Sequence, residues 1–82
     1  MVRLGTTTWL LQCKAHAKRV GPEPFRALLG VLRSGYAGGS RAIMVALGGV
    51  TEGAQRFAAQ NDILIWDVDD VVAIARGDPL RL

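Results

Sequence analysis

Residues 42–47, AIMVAL, form an unbroken apolar run of strand length, with glycines on either side. A strand without a polar face has to be covered on both sides, as strands of parallel or mixed sheets are. The shorter run ILIW at 63–66 reads the same way. Between the two lies GGVTEGAQRFAAQN, a glycine turn followed by a short helix. Thr51 is its expected N-cap, and Ala54, Phe57 and Ala58 are its buried face.

The rest of the chain fits an alternation of strands and helices. MVRL, GTTT and WLLQCK read as a hairpin with a turn at Gly5 and a second strand running through Lys14. PEPFRALLGVLRSG has prolines near its start and apolar residues at Phe25, Leu28, Leu29 and Leu32, the stripe of an amphipathic helix. Gly35 is its expected stop. DVDDVVAIARG reads as a last helix, with acids in its first turn and Arg76 in its last, an order that suits the helix dipole. The predicted order is β-β-α-β-α-β-α, an α/β fold with a sheet flanked by helices.

Composition narrows the class. With 82 residues there is room for one small domain, 1–82, and half of the residues are hydrophobic, enough for a core. A fold of this size buries only about 60–65% of its unfolded surface, so association with a second copy is expected to add stability. The net charge of +3 permits an anionic partner such as nucleic acid. One cysteine excludes an internal disulfide framework and a multi-cysteine metal site. No apolar run reaches the roughly 18 residues of a spanning helix, and MVRLGTTTW lacks a signal-peptide pattern. A cytoplasmic protein without membrane contact is expected.

The chemistry gathers at LLQCKAHAKRV, residues 10–20. Strand alternation puts Gln12 and Lys14 on one face with Leu10, and turns Cys13 the other way with Trp9 and Leu11, into the core. The Gln12 amide oxygen and the Cys13 carbonyl are hard donors suited to Mg²⁺, and Lys14 is a fixed positive charge for a phosphoryl oxygen. A carboxylate, which Mg²⁺ needs, is missing from the group. Taken alone, a polar pair at a strand end marks only a strand leaving the core. Cys13 has no His–Asp or His–Asn set beside it and is read as structural. GYAGGS and GGVTEG match no phosphate-loop pattern. Trp9 and Trp66 sit in apolar strands and are read as core.

Five segments in order, LLQCK, the basic stretch, PFRALLGVL, AIMVALGGVTEGAQRFA and ILIWDVDDV, resemble the catalytic domain of Mrr-type restriction endonucleases, within the PD-(D/E)xK nuclease superfamily. The resemblance covers about residues 9–75 and implies a restriction-endonuclease-like mixed sheet and Mg²⁺-dependent cleavage of DNA phosphodiesters. It makes Gln12 and the Cys13 carbonyl metal ligands and Lys14 the residue that orients water and stabilises charge. Lys14, His16, Lys18, Arg19 and the helix start at Thr51 become the DNA-contacting set.

The family's metal-binding aspartate belongs on the strand before QCK, yet nothing acidic precedes Glu23 here. Counted across the hairpin, it falls just upstream of Met1, so the fold is expected to be N-terminally truncated. Three expectations compete: a shortened nuclease, a non-catalytic relative that binds DNA or dimerises, or a site whose carboxylate comes from another subunit. A homodimer with exchanged or paired N-terminal strands is expected, because Leu4, Trp9 and Leu11 would otherwise lack cover.

Overall fold

The computed structural model describes residues 2–34 and 40–82. Its elements follow the order β1 (Val2–Leu4), β2 (Thr7–Lys14), α1 (Pro22–Arg33), β3 (Arg41–Ala46), α2 (Glu52–Gln60), β4 (Ile63–Trp66) and α3 (Val68–Ala75). This is the predicted alternation. The strands form one mixed sheet in the order β1-β2-β3-β4. β1 pairs antiparallel with β2, while β2–β3 and β3–β4 are parallel. The two parallel pairings require crossovers, and α1 and α2 supply them.

Every residue of Ala42–Ala46 is buried because β3 is central and covered on both faces. On one face Ala42, Met44 and Ala46 meet Phe25 and Leu28 of α1 and Ala54 and Ala58 of α2. On the other, Ile43 and Val45 join Trp9 and Trp66, with Val71 and Ile74 of α3 packed against them. Both tryptophans are therefore core residues, as expected. Trp66 Nε1–H also donates to the Arg81 carbonyl at 3.0 Å, and the Arg41 guanidinium lies 4.8 Å from the Trp9 ring centroid.

Local chemistry sets the helix ends. Pro22 and Pro24 occupy the first turn of α1, where no intrahelical N–H donor is needed. The predicted stop at Gly35 lies outside the described residues; Ser34 is the C-cap, its N–H donating to the Gly30 and Val31 carbonyls. Thr51 Oγ1 accepts from the Ala54 N–H at 3.1 Å, the N-cap expected of it. Asp67 caps α3 and exchanges hydrogen bonds with Asp70 in a capping box. Arg76 falls one residue past the end of α3, as its C-cap, rather than in its last turn. Hydrogen bonding from the Arg81 guanidinium, aided by the Asp67 backbone N–H, holds the Asp70 carboxyl below its ordinary range. Asp67 and Asp70 are thus helix-cap groups and Asp69 a first-turn acid, at the same end of the parallel strands as Lys14 but two strands across, beyond β3.

Two expectations are corrected. Cys13 is exposed, and Leu11 is 43% exposed, so neither is in the core. Alternation does put them on the Trp9 face, but α3, which covers that face, packs on β4 and leaves the outer part of β2 open. Trp9, by contrast, needs no second chain: it is 3% exposed, closed in by the second core and by Arg41. Leu4 is half-buried against the same cluster.

Candidate nucleic-acid interface at the end of β2

Gln12 and Lys14 stand two residues apart near the C-terminal end of β2, on the face that carries α1. Both line a cleft of about 190 Å³ whose other wall is Pro24, Ala27, Leu28 and Val31 of α1. Gln12 is exposed and Lys14 half-buried. An apolar helix wall beside an amide and an ammonium group lowers the local dielectric and strengthens whatever charge contact Lys14 makes.

The strand end is held from one side only. The Leu47 N–H donates to the Lys14 carbonyl at 3.2 Å, fastening the last residue of β2 to the end of β3. Because carbonyls alternate along a strand, the Cys13 carbonyl is turned to the opposite edge. There β1 reaches only as far as Trp9, paired with Val2, so among the described residues Leu10–Lys14 pair with β3 alone. The Cys13 carbonyl and the Gln12 amide oxygen are available as donors.

The chain then runs through a basic stretch in which His16, Lys18 and Arg19 are all exposed. It ends at Val20, which forms an isolated parallel bridge with Val50. That bridge brings the stretch beside the β3–α2 turn and the start of α2, where Thr51 is half-buried. The five residues from the two segments, Lys14, His16, Lys18, Arg19 and Thr51, therefore collect at the end of the sheet where the parallel strands finish. Ligands of open α/β sheets bind at this end.

The donor set does not fit a divalent cation by itself. Among the described residues no group of three His, Cys, Asp or Glu side chains comes together. The acid nearest in sequence, Glu23 at the start of α1, is paired with Arg26. Two neutral oxygens without a carboxylate are a poor site for Mg²⁺. What these residues do offer is positive charge and hydrogen-bond donors, with His16, Lys18 and Arg19 open to solvent.

The family model of the Mrr catalytic type, described as restriction endonuclease, matches residues 2–75. The chain belongs to that family. Among the curated proteins and among the solved structures, nothing matches it. Membership in the Mrr-type family makes this a nuclease-type fold, and the strand that ends in Gln12, Cys13 and Lys14 is inside the matched region. No helix among the described residues is long and apolar enough to cross a membrane.

Sequence reasoning missed two residues that shape this Mrr-type surface. Val20 is only 3% exposed, a core anchor at the end of the stretch read as basic. Its signal was a single apolar residue between Arg19 and Gly21. Gly48 leaves no space for a side chain against the basic stretch. In a Gly-Gly turn the sequence does not say which glycine is required by space.

Proposed function

We propose that residues 1–82 act as a restriction-endonuclease-like domain on DNA, meeting the phosphate backbone at the end of β2. The observation that carries this reading is the convergence of Lys14, Lys18 and Arg19 at the open strand end of a nuclease-type fold. Lys14 supplies fixed charge to a phosphoryl oxygen, which favours the more highly charged transition state of phosphodiester hydrolysis. Gln12 orients the phosphate or an attacking water by hydrogen bonding. A divalent cation in this reaction class activates water and offsets phosphate charge. Gln12 and the Cys13 carbonyl would contribute oxygens toward it, and a carboxylate from beyond the described residues would be needed to hold it.

A plasmid-nicking assay with and without Mg²⁺, run beside Lys14→Ala, tests the reading. Cation-dependent nicking that falls roughly 100-fold or more in Lys14→Ala supports Lys14 in the chemistry. Nicking that Lys14→Ala leaves unchanged sinks the mechanism. Duplex binding with no nicking in either protein assigns the second reading, a nuclease-like module that binds DNA without cutting it. That reading is favoured by the pairing of Glu23, the acid nearest in sequence, with Arg26.

A second copy of the chain is the partner that suits the open side of β2. Leu11 is exposed there, and Leu10–Lys14 present a strand edge on the side away from β3. The accessible surface is 5230 Å² for 8.8 kDa, above the about 4,800 Å² usual for a monomer of that mass. Light scattering after size exclusion is expected to give twice the chain mass. A monomer at all loading concentrations rules the dimer out.

A further inference from the structure

The basic stretch after β2 is fastened by contacts that neither β2 nor α1 provides. The Val20 N–H donates to the Gly49 carbonyl, and the Thr51 N–H donates to the Val20 carbonyl, each at 3.0 Å. Beside this bridge, Gly48 touches the stretch with no space left. A Cβ at Gly48 would lie 2.5 Å from the Ala17 carbonyl oxygen and 2.7 Å from that of His16. Both neighbours are backbone atoms, so no side-chain rotation relieves the clash. Nor is glycine demanded by the backbone, because positive φ among the glycines occurs at Gly5, Gly49 and Gly77 and not at Gly48. Space alone excludes a side chain.

We propose that Gly48 is a positioning residue for DNA contact, whose missing side chain lets residues 15–19 lie against the β3–α2 turn and so holds Lys18 and Arg19 beside Lys14. The proposal rests on the reading of this surface as phosphate-binding. A long basic side chain loses rotamer freedom when it meets a phosphate, and a mobile backbone beneath it adds a further ordering cost. Fixing residues 15–19 through Gly48 and Val20 removes that second cost before DNA arrives. The lock acts through Lys18 and Arg19, and Gly48 makes no contact with DNA itself.

A double-mutant cycle tests this on the full chain. Binding to a duplex of arbitrary sequence is followed by fluorescence anisotropy between about 50 and 200 mM salt. The proteins are wild type, Gly48→Ala, Lys18→Ala/Arg19→Ala and the triple combination. Lys18→Ala/Arg19→Ala is expected to flatten the slope of log affinity against log salt by about 2. Gly48→Ala is expected to flatten it nearly as much with both basic residues still present, and to add nothing in the triple combination. A wild-type slope in Gly48→Ala, or a further loss in the triple combination, overturns the proposal. Trypsin cleavage at Lys18 and Arg19 is a second readout that needs no DNA, and Gly48→Ala is expected to be cut faster. Should Gly48→Ala not fold, Val20→Thr, which keeps the shape of the anchor but weakens its burial, carries the same expectations. Wild type without salt-dependent binding overturns the DNA reading itself, whereas a cleavage rate equal to wild type overturns the Gly48 proposal alone.

Discussion

Phe25→Ala is expected to lower the melting temperature by at least roughly 12 °C. Phe25 is fully buried between α1, α2 and the sheet, in the same cluster as Met44, Ala54 and Ala58. Met44, Ala54 and Ala58 are fixed on other elements, so they relax only in part into the space. Truncating a buried phenylalanine costs about 3–5 kcal/mol, and each kcal/mol moves the midpoint of a fold this small by about 4–8 °C. At about 0.05–0.15 kcal/mol per residue, 82 residues have a total of only about 4–12 kcal/mol to lose. Val31→Ala, on the exposed side of the same helix, is the comparison. It is expected to change stability by less than about 0.5 kcal/mol. Circular dichroism melts of the two variants measure the difference. Equal melting temperatures would mean that α1 is not packed as described.

The second large effect concerns salt. Lys14, Lys18 and Arg19 offer three cations to the phosphate backbone. Neutralising three phosphates gives a slope of log affinity against log salt of about −2.7, which amounts to an about 40-fold loss between about 50 and 200 mM salt. Lys14→Ala/Lys18→Ala/Arg19→Ala is expected to remove most of that dependence while leaving the fold intact, because all three lie outside the two cores. Anisotropy titrations at several salt concentrations measure it. A slope that survives the triple substitution would place DNA on another surface. Sequence preference is not expected to change, since phosphate contacts fix position and carry no base information.

Element order was legible because each segment carried its own period. AIMVAL has no polar face, PFRALLGVL has a helical stripe, and Thr51 and Asp67 stand where caps must stand. These are local requirements, satisfied within a few residues of chain. The pairing of Gln12 with Lys14 was legible for the same reason, since a strand's alternation is a property of the strand. The exposure of Cys13 was not, because alternation gives the face and not what covers it. The sheet face beside Trp9 is shared between α3, which sits over β4, and open solvent beside β2.

The sequence alone thus determined the order of elements, the N-caps of α2 and α3 and which β2 residues share a face, all consequences of backbone geometry and side-chain type at short range. Only the tertiary structure decided that α3 leaves Leu11 and Cys13 uncovered, that Val20 crosses to Val50, and that Gly48 abuts the carbonyls of His16 and Ala17. The last two contacts join segments about thirty residues apart, and the cause of all three is the space left when two crossover helices pack on one face of a twisted sheet and a single short helix packs on the other.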